Sequence, residues 1–248
     1  MAEPPRALFF DVFGTCVDWR TGVSGEVASL ARRLGRDDVQ PEAVADAWRA
    51  LYRPQLETVR SGARPWVTLD VLHRDALDRV LAEAGLDEVG AADRDELTRA
   101  WHRLDPWPDT VEGLTRLKRR AVIAPHSNGH VALLLTMARR AGLPWDLILG
   151  AETARAYKPT PPAYLRNVAL LGLEPGQVML AAAHNGDLGA AAALGLRTAF
   201  VHRPAEHGPA QTTDLAPDGP WDLVARDIAD LAELLGCTPV AAPGEGPG

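Results

Sequence analysis

The 248 residues contain only two cysteines, Cys16 and Cys237. Two cannot build a disulfide framework, and there is no Cys-x-x-Cys pair to form a thiolate metal site. The composition suits a reducing compartment, and a cytoplasmic protein is expected. A basic excess is lacking as well: 26 Lys and Arg stand against 33 Asp and Glu, a formal charge of −7. This balance speaks against nucleic acid and against an anionic membrane surface as partners. No apolar run approaches the roughly 18 residues of a membrane span. The first residues carry no basic stretch leading into an apolar one, so no signal peptide is expected. From Thr21 to Asp105 both strand patterning and lysine are missing.

Outside that region the sequence alternates. Ala7–Phe10, Val122–Ala124, Leu147–Gly150, Val178–Ala182 and Thr198–Val201 are short apolar runs that read as buried strands. Helical stretches separate the later ones: Val131–Ala141 before Gly142, Pro162–Leu171 before Gly172, and Leu188–Leu194 before Gly195. Strands alternating with helices predict an α/β protein with a parallel sheet covered on both faces. Residues 21–105 instead hold helical stretches at Val23–Leu34, Pro41–Val59, Val67–Ala84 and Arg94–Leu104, which predicts a helical cap inserted into a core of residues 1–20 and 106–237. The Pro/Gly-rich residues 238–248 are expected to be a disordered tail.

Open parallel sheets bind ligands at the carboxyl ends of their strands. Those ends carry Asp11, Ser127-Asn128 and His184-Asn185-Gly186-Asp187, and Lys158-Pro159 follows the third strand. Two carboxylates, a hydroxyl and an ammonium in one place make a plausible covalent-catalysis set: a nucleophile, a cation that keeps it ionised, and a base to activate water.

These residues, Asp11-Val-Phe-Gly-Thr15, Ser127-Asn128, Lys158-Pro159 and Asp187, resemble in their order the four motifs of the haloacid dehalogenase superfamily. The resemblance spans nearly the whole chain, and the helical insert after the first motif is similar to that of the L-2-haloacid dehalogenases. It implies a Rossmann-like parallel-sheet core with an inserted helical cap, with Asp11 as nucleophile. Phosphatases of the superfamily carry a second Asp two residues after the nucleophile, to protonate a leaving alkoxide. Here that place is Phe13, which can neither give nor take a proton. A halide leaves without a proton, so Phe13 fits carbon–halogen cleavage better than phosphoester hydrolysis. Ala183 stands where the phosphatases often hold a magnesium-binding acid, so no metal and no cofactor are expected.

The resemblance implies a metal-independent hydrolysis of L-2-haloacids to D-2-hydroxy acids. Asp11 displaces halide to form an aspartyl ester, which water cleaves with Asp187 as base. Thr15 and Ser127 would bind either the nucleophile or the substrate carboxylate, and Lys158 would keep Asp11 ionised. Tyr164, six residues after Lys158 as in the dehalogenases, would support the site, and Asn128 would donate to halide. An arginine of the cap would take the substrate carboxylate or halide: Arg49 after Trp48 matches the family pattern, with Arg53 and Arg60 as alternatives. Around Asp187 the sequence departs from the family, with Ala182 and His184 in place of the Ser and Asn of a Ser-x-Asn pattern and Gly186 in place of a Trp. His184 is either a replacement donor or a structural residue, and Trp66 either a pocket wall or a packing residue. The resemblance also implies a homodimer acting on a small molecule. The rival readings are a magnesium-dependent phosphatase, a phosphonatase-type hydrolase, which would need a cap lysine, and a non-catalytic binding protein of the same fold.

Overall fold

The computed structural model describes residues 3–238, so all of the expected tail except Thr238 lies outside the described residues. A six-stranded sheet runs in the order β3-β2-β1-β4-β5-β6, every pairing parallel. The strands are β1 (Ala7–Phe10), β2 (Val122–Ser127), β3 (Leu149–Gly150), β4 (Val178–Ala182), β5 (Arg197–Val201) and β6 (Leu223–Ala225). Along β1 the side chains alternate between two apolar layers. Leu8 and Phe10 enter one, and Ala7 and Phe9 the other. A strand buried on both faces carries no polar alternation, which is why ALFF reads as a continuous apolar run.

Between β1 and Asp105 lie five α-helices: α1 (Trp19–Leu34), α2 (Pro41–Ala50), α3 (Tyr52–Arg60), α4 (Leu69–Glu83) and α5 (Ala91–Thr98), with a 3-10 turn at Arg99–His102. Asp18 caps α1, its carboxylate accepting the Thr21 N–H at 3.0 Å. The stretch Pro41–Val59, expected as one helix, is divided at Leu51. Pro54 explains the break, because within a continuous helix its ring would collide with the carbonyl of Ala50.

After the block come α6 (Thr110–Leu117), α7 (Val131–Ala141), α8 (Ala151–Ala154), α9 (Pro161–Leu170), α10 (Asn185–Ala192) and α11 (Ile228–Leu234). Leu114, Met137 and Ile228 cover one face of the sheet, while Tyr164, Val168 and Leu188 cover the other. The chain is therefore α/β with a Rossmann-like doubly covered sheet. β1 lies centrally, between β2 and β4, so the carboxyl ends of all three open into the same crevice. No helix among the described residues is long and apolar enough to cross a membrane.

Candidate active site

Asp11 follows β1 directly, and its N–H donates to Ala181 O of β4 at 3.0 Å, which extends the ladder by one residue. The turn behind it is fixed from the backbone side. Trp107 Nε1 donates to Gly14 O at 2.9 Å, Thr110 Oγ1 to Cys16 O at 2.9 Å, and Arg203 Nε to Thr15 O at 2.8 Å. Arg203 is itself held by a bidentate pair with Asp109, 2.7 Å on each oxygen.

The Asp11 carboxylate is buried and met from two sides. Lys158 Nζ donates to Oδ1 at 3.0 Å; Thr15 Oγ1 and His184 Nδ1 each lie 3.0 Å from Oδ2. Burial alone would raise the acid's pKa, but Lys158 and His184 outweigh it and hold the carboxyl well below its ordinary range. Lys158 Nζ also donates to Asp187 Oδ2 at 2.5 Å, so one ammonium joins the two carboxylates. Burial would lower its pKa, yet Asp11 and Asp187 raise it above the ordinary lysine value. Asp187, in the first turn of α10, accepts Tyr164 O–H on its other oxygen at 2.6 Å. Asn128 accepts the Lys158 backbone N–H at 2.7 Å, leaving its Nδ2 end as the donor on the cleft. The structure thus brings Asp11, Thr15, Lys158, Asp187, Tyr164, His184 and Asn128 into one connected cluster.

A cleft of about 1190 Å³ opens over this cluster, between the strand ends and α2–α3. Trp19, Arg49, Tyr52 and Leu56 line its helical side, and Phe13, in the turn after β1, lines its floor. The Arg49 guanidinium lies 4.5 Å from the Tyr52 ring centre and 5.2 Å from that of Trp19. Its Nη2 is 3.9 Å from Glu206 Oε1, and its buried Nη1 has no hydrogen-bond partner. An unpaired guanidinium nitrogen aimed along an aromatic wall is a ready donor for an anion. Arg60 also lines the cleft, but both its terminal nitrogens are engaged, Nη1 donating to Lys158 O at 3.0 Å and Nη2 lying 2.9 Å from Glu57 Oε2, which leaves only its buried Nε without a partner. Arg53 also lines the cleft.

Two expected positions stand apart. Ser127 Oγ accepts the Gly129 N–H at 3.1 Å and makes no hydrogen bond to Asp11; the short Ser-Asn-Gly turn draws the hydroxyl back onto its own backbone. Trp66 does not line the cleft. It stacks on Tyr157 at 6.4 Å and under the Arg155 guanidinium at 4.1 Å, so the aromatic wall comes from Trp19 and Tyr52 instead. Glu206 was missed by the sequence reading. It lies in the segment just after β5, is 1% exposed, and both its oxygens face His184 Nε2, at 3.1 and 2.9 Å. Its place beyond a strand's carboxyl end was the available signal.

One group among the described residues has the spacing for a metal ion: Asp70, His102 and His130, whose ligand atoms lie within 4.8 Å of one another. None of the three lines the cleft. His102 Nε2 is 2.9 Å and His130 Nε2 3.5 Å from Asp70, a set of contacts that ties α4 to the start of α7.

Known proteins share this fold. The chain is 57% identical to a defluorinating L-2-haloacid dehalogenase of known structure, with a TM-score of 0.92 over 94% of this chain and 95% of that one. A second L-2-haloacid dehalogenase structure is 47% identical, with a TM-score of 0.90 over 94% and 100% of the two chains. The (S)-2-haloacid dehalogenase of Xanthobacter autotrophicus is 29% identical over 236 residues, 91% of this chain and 82% of that protein. The sequence model of the haloacid dehalogenase-like hydrolases matches residues 5–195, and the chain belongs to that family.

Proposed function

We propose that the protein hydrolyses the carbon–halogen bond of L-2-haloacids, giving D-2-hydroxy acids through an ester on Asp11, without a metal. The observation that carries the reading is the doubly bound but ionised Asp11 beside Phe13. The site offers a nucleophile and no acid at the place where an alkoxide would need one. Arg49 Nη1 and Asn128 Nδ2 are the donors available for the substrate carboxylate and the departing halide. Backside attack by Asp11 inverts the carbon and releases halide. Asp187, steered by Tyr164 and Lys158, then accepts a proton from the water that attacks the ester.

The metal-free reading is supported by the donor set. Lys158 Nζ already bridges Asp11 and Asp187, the two carboxylates that a divalent ion would share, and Ala183 brings only a backbone N–H, donated to Thr15. In this reading the helical block, residues 21–105, is a cap that excludes water during alkylation. The two buried free thiols support a reducing location. Fluorinated acids are included among the substrates, supported by the 57% identity to a protein named as defluorinating.

Halide release from the separate enantiomers of 2-chloropropionate and from 2-fluoropropionate, with EDTA or added magnesium and beside a generic phosphate ester, tests the reading. Release from the L forms alone, unaffected by EDTA and abolished in Asp11→Asn, is expected. Magnesium-dependent phosphate release without halide would overturn it.

A further inference from the structure

A carboxylate oxygen has about two lone-pair directions. On Asp11 Oδ2 both are taken, by Thr15 Oγ1 and His184 Nδ1 at 3.0 Å each; Oδ1 faces the single donor Lys158 Nζ. The pair free to attack carbon is therefore on Oδ1. An ester formed there leaves Oδ2 as the carbonyl oxygen, with both donors still pointing at it.

Behind His184 stands a buried anion built for the purpose. Glu206 receives His184 Nε2 on both oxygens and Trp19 Nε1 on Oε1 at 3.0 Å. It fills the space where a side chain at residue 14 would go: a Cβ on Gly14, whose φ is +87°, would lie 2.1 Å from Glu206 Oε1. With a carboxylate on each ring nitrogen, both nitrogens donate and the ring is an imidazolium. Burial alone would lower its pKa; Glu206 and Asp11 raise it to about 10.

We infer that His184 and Thr15 form the oxyanion hole for hydrolysis of the Asp11 ester, and that Glu206 is the positioning residue that keeps the imidazolium charged and turned to Oδ2 during that step. The inference rests on the covalent reading above and adds which step these residues serve. Water bonds to Cγ and gives its proton to Asp187, while the carbonyl π pair moves to Oδ2, where charge develops against the His184 and Thr15 donors. Collapse re-forms the carbonyl and breaks the Cγ–Oδ1 bond; the hydroxy acid leaves with Oδ1 and takes back the proton from Asp187, and Asp11, now carrying the water's hydroxyl, releases that proton to solvent and returns to the carboxylate. The reason for Glu206 is the charge change at Asp11. Esterification neutralises the carboxylate on one side of the ring, and Glu206 is the anion that still touches it. In the first step the same imidazolium stabilises the resting nucleophile and so gives no acceleration.

The two steps therefore separate in variants. Rapid mixing of L-2-chloropropionate with Glu206→Gln is expected to release the first equivalent of chloride at an undiminished rate, then turn over about tenfold more slowly, because neutral donors are roughly half as strong as charged ones. His184→Asn, which keeps a neutral donor, is expected to do the same. In both, intact-mass analysis is expected to find the ester accumulating on Asp11, a signature that a general loss of folding does not give. Equal slowing of burst and turnover, or no change in either, would overturn the inference while leaving the covalent reading in place. Parent protein that never forms an ester would overturn both.

Discussion

At Phe13, the residue in the place of the phosphatases' second acid packs edge-on to Trp101 at 5.8 Å, as part of the apolar wall beneath the cleft. Asp11 beside it keeps its charge in a buried place because two cations offset the desolvation. The same electrostatics sets a pH dependence. His184 has a folded-state pKa of about 10 against 6.5 ordinarily, so between those values the folded protein holds a proton that the unfolded chain releases. Its contribution to stability is complete below about 6.5 and is lost as the pH rises towards 10. The groups facing the ring are Asp11 and Glu206, with Arg49 and His207 at the far side of Glu206. Denaturant midpoints measured across that window should fall more steeply for the parent than for Glu206→Gln, whose histidine gives up its proton earlier. Asp11, Thr15, Lys158 and Asp187 were legible in the sequence because they stand in motif order, Asp11 and Thr15 after β1, Asp187 in the first turn after β4, and Lys158 beyond the short helix that follows β3. Glu206 was not. Its contact with Trp19 spans 187 positions, and nothing periodic connects the two.

Helices and strands followed the sequence where one signal dominated. β1, β4 and β5 are short apolar runs, and Gly142 ends α7 in the left-handed conformation with φ 68°. Signals in conflict were misread, as where apolar periodicity ran through Pro54 and the two helices α2 and α3 read as one. The pair β6–α11 escaped because Leu223–Ala225 is three residues long, at the edge of the sheet. Its helix packs tightly on α6: a Cβ on Gly113 would come within 2.6 Å of the Ile228 backbone carbon. Gly113→Ala is therefore expected to lose about 1–3 kcal/mol by overpacking. Urea unfolding checks this.

Across the whole molecule, the cleft is assembled from two sources. The segments after β1, α8 and β4 supply Asp11, Lys158 and Asp187, while Arg49 and Tyr52 come from the helical block and Trp19 from the start of α1. Arg60 Nη1 on Lys158 O at 3.0 Å, Tyr157 O–H on Val67 O at 2.7 Å and the Asp70–His130 contact join the two sides around the cleft. In the proposed reaction, Arg49, which would take the substrate's carboxylate, thus arrives from the opposite wall to Asp11, which would attack its carbon. Arg49→Lys is expected to lower kcat/KM for L-2-chloropropionate about 10- to 100-fold, the worth of one or two charged hydrogen bonds, chiefly through KM. A thermal melt close to the parent's would show that the loss is one of recognition.

The covalent ester on Asp11 is the centre of this account, and a single turnover in water enriched in heavy oxygen tests it most directly. With enzyme in excess over L-2-chloropropionate, the lactate formed takes its new oxygen from Asp11 and the heavy atom enters the Asp11 carboxylate. Unlabelled lactate and a labelled Asp11 peptide are expected. Heavy oxygen in the lactate of that first turnover, with Asp11 unlabelled, would mean that water attacks the substrate directly, contradicting the ester on Asp11.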